Sequence, residues 1–323
     1  MLVLAQDDNK TTFPLEKFYV ERKKHTLRAL LKNFHLGLST GYGNTFFNHH
    51  LNGFGIYQPS GKAPEIFNAK SGPSVRYSNW VNTASPDTTK VQTGSYLVSS
   101  DTAKLGFKGH ALNIPLKLTL HYEYKRYRIG AGYSYEWMTI GTFHPTAFSD
   151  KIGHFHPSGA TGFMKKYFGI LGVSFARIDN YLFTADVNVG GFNPGQNFNA
   201  GLIQKGIYFN LGVTAEWELS EYLRLFVRPS YDFKSYTLNV PESESIHHSI
   251  NAFYLNVGVT YSLPELPRCF KSECKIQINH AHGNKEYRSR VHKIYEKQNP
   301  GYGEDYPTLI KYKGKNKKKM NPY

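Results

Sequence analysis

The sequence predicts an all-β fold: an eight-stranded antiparallel transmembrane β-barrel with short periplasmic turns, long extracellular loops and a basic C-terminal periplasmic extension. The first observation behind this is a strict alternation over residues 207–219. Ile207, Phe209, Leu211, Val213, Ala215, Trp217 and Leu219 alternate with Tyr208, Asn210, Gly212, Thr214, Glu216 and Glu218. Successive side chains leave opposite faces of a strand, so a period of two marks β-structure. About 13 residues is long for a globular strand, where about 5–6 is usual, but it suits a tilted strand crossing a bilayer. The second observation is that eight such runs occur, an even number. The third is that short connections alternate with long ones, as in bacterial outer-membrane barrels.

Taken in order, residues 7–33 are polar and then weakly helical, with Leu15, Phe18, Tyr19, Leu27, Leu30 and Leu31 set among basic residues. Such a segment suits an anionic lipid surface or the mouth of the barrel. The first strand is expected over 34–43, with Phe34, Leu36, Leu38 and Tyr42 outward and His35, Gly37, Ser39 and Gly41 inward. A long irregular insertion, roughly 51–109, follows. Strands two and three, 110–124 and 127–140, meet at Lys125–Arg126. The fourth, 163–178, alternates less cleanly, and Asp179–Asn180 turns it into the fifth, 181–191. After a loop at 193–205 come the sixth and seventh, 207–219 and 222–236, joined at Ser220–Glu221. A loop containing 241–248 leads to the eighth, 250–263. The expected domains are a signal-peptide remnant at 1–5, an N-terminal periplasmic segment at 6–33, the barrel at 34–263 and a basic tail at 264–323. Both termini then lie in the periplasm and the barrel in the outer membrane.

Composition agrees with this reading. Aromatics reach 15%, with 24 Tyr and 22 Phe, and there are 29 Gly; aromatic girdles and small lumen residues produce that profile. No stretch approaches the roughly 18 apolar residues of a spanning helix. The net charge of +15 suggests nucleic acid at first sight. Its distribution argues otherwise, because from Arg268 onward 14 Lys/Arg face five Asp/Glu, a net +9 confined to the tail.

The strands are rich in Gly and Tyr, as in Tyr127-Arg-Ile-Gly-Ala-Gly-Tyr-Ser-Tyr135 and Phe253-Tyr-Leu-Asn-Val-Gly-Val-Thr-Tyr261. In this, residues 34–263 resemble eight-stranded outer-membrane barrels of the OmpA/OmpX type, in the style of Bacteroidota. The resemblance extends to the PorG and PorT barrels, accessory parts of type IX protein secretion, and implies a role in the cell envelope. The tail departs from barrels that end on their last strand.

Inward positions carry Lys117, Arg128, Arg224, Arg228 and Lys234 against Glu123, Glu136, Asp186, Glu216, Glu218 and Asp232. An eight-stranded barrel has room for little beyond its own side chains, and buried charges must pair. The expectation is a lumen plugged by ion pairs, without a wide pore. No G-x-S-x-G elbow occurs and no Ser/His pair is fixed by spacing, so no catalysis is expected. Eight histidines fall on the loop side: His49, His50, His110, His144, His154, His156, His247 and His248. They read as polar loop filler; the alternative is an uptake barrel whose loops capture a ligand or metal.

Cys269 and Cys274 are the only cysteines. An oxidising periplasm favours a disulfide between them, while a zinc site with His280 and His282 is the alternative. No cofactor and no defined metal site are expected. The basic tail residues Arg288, Arg290, Lys311, Lys313, Lys315, Lys317, Lys318 and Lys319 are expected to dock a periplasmic protein or peptidoglycan. Outer-membrane lipid surrounds the barrel, and nucleic acid is excluded as a partner.

Overall fold

The computed structural model describes residues 26–91, 93–100, 104–159, 161–178, 180–219, 222–274, 276, 280–282 and 285–288. Two units are distinguished, Phe34–Ser262 and a second formed by Met1–Asn33 with Leu263–Tyr323.

Eight long strands make up the first unit: β1 Phe34–His50, β2 Gly106–Tyr124, β3 Tyr127–Ile140, β4 Thr161–Ile178, β5 Tyr181–Asn193, β6 Tyr208–Glu218, β7 Leu223–Phe233 and β8 Ser245–Ser262. Each pairs antiparallel with the next. β8 returns to β1 from His35↔Ser262 to His49↔His248, which closes the ring. Closure removes the sheet edges, so the ladder satisfies the backbone without water. The whole sheet is larger than the eight strands expected. His144–Pro145 joins β2, and Ser235–Asn239 lies along β8 and carries Ile203–Lys205, giving eleven strands. The expected seventh strand therefore divides at Lys234. Lys125–Arg126 makes a tight turn between β2 and β3, with Lys125 at φ 55°. Asp179 and Ser220–Glu221 lie outside the described residues.

The alternation changes polarity along the ring axis. Toward the short-turn end the outward face is apolar, with Leu36, Leu118, Ile129, Leu171, Val227 and Val257 exposed. Aromatic rings flank this band. Tyr124, Tyr127, Tyr181, Trp217 and Tyr261 lie at the short-turn end, and Tyr42, Tyr135, Phe163, Tyr167 and Phe253 lie nearer the loops. On β2 the outward face is apolar from Leu112 to Tyr124. At about 3.3 Å per residue and about 40° of tilt, that covers about 30 Å, the thickness of a bilayer core. Beyond this band the pattern inverts without any slip in register. Outward positions become Asn48, His50, Lys108, His110 and His247, while Phe47, Phe107, Ile140, Ile246 and Ile250 point in. The barrel is thus polar inside and apolar outside in one zone, and apolar inside and polar outside in the next.

Close strand approach at the seam depends on Gly41, paired with Asn256. A Cβ there would collide with the Leu255 carbonyl and come within 2.8 Å of Asn256 Cα. Gly41→Ala is expected to destabilise the ring by about 1–3 kcal/mol through overpacking. A lower urea midpoint for loss of the fast-migrating, unboiled gel band is the check.

The expected irregular insertion after β1 is instead a five-stranded sheet, in the order Ser85–Asp87, Arg76–Ser78, Glu65–Asn68, Phe54–Pro59, Gly94–Val98. Arg76 holds it together, with its Nε 2.7 Å from Glu65 and its guanidinium over the Tyr57 ring, 5.0 Å from the centroid. This sheet and the other long loops form one cap over the loop end. Trp80, wholly buried, meets His49, Phe107 and Phe155 at ring distances of 4.8, 5.1 and 4.8 Å. Tyr236 donates to the Val81 carbonyl at 2.6 Å, Asn82 donates to Ser158 and Asn197, and Tyr77 donates to Pro241. Burial and the charge of Glu242 push the Tyr77 phenol up, which keeps it a donor. The repeated Phe-His-Pro segments close the 141–160 loop: Phe143 and Phe155 exchange backbone hydrogen bonds and stack their rings at 5.1 Å.

Candidate functional site

All eleven charged residues expected in the lumen lie inside the ring, in three layers. At the short-turn end Glu123 accepts from Arg128 at 2.6 Å and Arg224 at 3.0 Å. Glu216 accepts from the same two guanidiniums at 2.6 and 3.2 Å, and Arg224 also reaches Glu218 at 3.4 Å. His35 and His121 stack at 5.2 Å with each Nε2 within 3.3 Å of Glu123. In the middle, Arg228 forks onto Asp186, which also accepts from Thr214 at 2.8 Å. Planar guanidinium matches carboxylate in this way better than ammonium does.

The layer below the cap centres on a residue that sequence reasoning missed. Lys166 is fully buried, with Nζ 2.6 Å from Glu136 and 2.7 Å from Asp232. Tyr254 donates to Glu136, and its ring lies beneath three ammoniums, those of Lys166, Lys117 and Lys234, at 4.4, 5.1 and 5.5 Å. Asn113 donates to Glu136 at 2.5 Å, and Asn210 to Asp232 at 2.6 Å. With Lys166 counted, the named lumen groups are six cations and six anions. The layer below the cap has one cation in excess and the short-turn layer one anion. Net neutrality is what a low-dielectric bore requires.

Between the layers lies a cavity of about 60 Å³ lined by Lys117, Asp186, Glu216 and Arg228 among others. Among the described residues the Lys117 ammonium facing it has no hydrogen-bond partner, and a polar space of that size accommodates water.

The histidines of the loop side divide. His49 and His248 are buried in the cap with rings 4.8 Å apart, so the reading as polar filler fails for these two. His50, His110, His144, His154, His156 and His247 are exposed, and His144 and His154 approach to 3.1 Å.

In the second unit the expected disulfide is corrected. Cys269 and Cys274 are not joined. Each sulfur instead faces an imidazole, Cys269 with His282 and Cys274 with His280, both at 3.2 Å. Arg288, expected among the docking residues of the tail, is buried and pairs its backbone with Cys269 and Pro267. Arg290, Lys311, Lys313, Lys315, Lys317, Lys318 and Lys319 lie outside the described residues.

A closed ring, an apolar belt between aromatic girdles and a paired polar bore define a membrane-spanning β-barrel, the architecture of outer membranes. No protein-family model and no curated protein sequence matches the chain. Among solved structures it is similar to the outer membrane protease OmpT of Escherichia coli, at 10% identity and a TM-score of 0.31, covering 72% of this chain and 97% of that one. It is similar also to the translocator domain of the autotransporter NalP from Neisseria meningitidis, at 11% identity and 0.25, covering 73% and 91%. A Pseudomonas aeruginosa FadL homologue follows at 9% and 0.16, covering 73% and 92%. The expectation that the chain is not an enzyme is corrected here: an outer membrane protease is among the similar structures, and a missing sequence motif does not exclude catalysis. Scores this low assign no activity to this chain.

Proposed function

We infer that the protein is an outer-membrane barrel with a closed bore that anchors a basic periplasmic tail for docking an envelope partner. One observation carries the reading: the fully buried Lys166–Glu136–Asp232 triad sits beneath an apolar cap, so the lumen is occupied rather than open. Work then falls to surfaces outside the bore. The tail's net +9 suits anionic partners, either peptidoglycan carboxylates or an acidic protein of a secretion assembly, the setting of the PorG and PorT barrels its strands resemble.

The test uses the full chain beside a variant lacking residues 289–323. In planar bilayers neither is expected to give sustained channel current. Both are expected to shift on boiling, and only the full chain to sediment with isolated peptidoglycan or to cross-link to a periplasmic protein. Steady conductance by the full chain overturns the closed bore, and undiminished capture by the truncated chain overturns the docking role.

A further inference from the structure

We propose that Cys269, Cys274, His280 and His282 form a tetrahedral site for a zinc ion. The inference goes beyond the docking reading and stands whether or not the tail binds a partner.

The local fold brings the four together. His280 and His282 lie two apart on the strand His280–His282, so both leave the same face. That strand pairs with Lys285–Tyr287, placing His280 opposite Tyr287. Arg288, the next residue, receives the cysteine segment: the Cys269 amide donates to its carbonyl at 3.0 Å, and its own amide donates to Pro267 at 3.0 Å. The Cys274 amide turns back onto the Lys271 carbonyl. Phe270 packs at 5.8 Å from the His282 ring and 5.2 Å from Tyr287, which fixes the imidazole from the side. Such outer contacts orient metal-binding histidines.

The geometry of the donor atoms suits an ion. The two sulfurs and two nitrogens all lie within 4.8 Å of one another. Three separations, Cys269 to His282, Cys274 to His280 and His280 to His282, are each 3.2 Å. Zinc–sulfur and zinc–nitrogen bonds of about 2.3 and 2.0–2.1 Å give tetrahedral edges of about 3.3–3.8 Å. Hydrogen bonding alone serves the cluster poorly. Each Nε2 carries one proton or one lone pair, yet each has two of these close neighbours. A central cation takes a lone pair from all four.

The charge also closes. Binding expels one proton from each thiol, so two thiolates and two neutral imidazoles around Zn²⁺ make a neutral centre. Two soft sulfurs with two imidazoles in a tetrahedral array select zinc over calcium or magnesium. The other candidate group, His35, His121 and Glu123, is less suited, because Arg128 and Arg224 already hold its carboxylate.

The test is thiol labelling of the full chain in isolated envelopes with a maleimide polyethylene glycol. Zinc-bound thiolates are expected to label after a chelator alone, whereas a disulfide labels only after a reductant. Purified protein is expected to carry about one zinc per chain. The C269S/C274S variant is expected to lose it while keeping the boiling shift, and H144A/H154A to retain it. Cobalt loading adds a readout independent of yield: tetrahedral ligand-field bands with thiolate charge transfer, absent in C269S/C274S. Labelling that requires reductant, or zinc that follows His144 and His154 instead, overturns the proposal.

Discussion

Replacing Lys166 with methionine is expected to cost about 3–5 kcal/mol of barrel stability, the largest effect of any single lumen change. Methionine has nearly the length of lysine, so the loss is of charge rather than volume. Two fully buried carboxylates, Glu136 and Asp232, then lose the ammonium that bridges them; Asp232 keeps Lys234 at 3.4 Å, and Glu136 loses its ion-pair partner. The urea dependence of the unboiled gel band in detergent measures the change. The double variant Lys166→Met, Glu136→Gln is expected to recover most of the loss, because it removes one charge of each sign and leaves Asp232 paired with Lys234. A single variant as stable as the parent would show that the triad does not bear on folding.

Trp80→Ala is expected to act elsewhere. The indole fills the centre of the cap against His49, Phe107 and Phe155, and truncating a buried aromatic costs about 3–5 kcal/mol. Because the cap is built of loops above the hydrocarbon band, the loss is expected to be local. Protease added outside cells should cut within residues 51–105 of the variant and spare the parent, while both keep the boiling shift. Trp217→Ala, on the lipid-facing girdle, is the control and should leave the cap resistant.

The hydrocarbon-spanning part of the fold was legible because there the alternation is uniform, apolar out and polar in. The eleven expected lumen charges follow from that single rule. The loop ends of the strands were not legible, and the reason is the inversion of polarity. β1 reaches His50 and β8 begins at Ser245, but Asn48, His50, Ser245 and His247 face water there, so the apolar stripe crosses to the other face. Lys166 was hidden for a related reason. Its inward neighbours on β4 are Met164, Phe168 and Ile170, its outward neighbour is Lys165, and a bulge between Ser174 and Ala176 shifts the phase further along. The five-stranded sheet escaped because its strands span only three to six residues. At the cysteines, compartment chemistry pointed to a disulfide. It took the register of a short hairpin to show both imidazoles turned toward the sulfurs.

The same inversion sets how the protein rides in its membrane. Sliding outward would pull the Leu and Val belt into water, and sliding inward would drag the His50, Lys108 and His110 ring into hydrocarbon. The barrel therefore resists vertical displacement in both directions, with a restoring cost that rises by fractions of a kcal/mol for each ångström of mismatch. A thinner or thicker bilayer would have to deform around it, because a closed ring of paired strands cannot shorten itself by flexing.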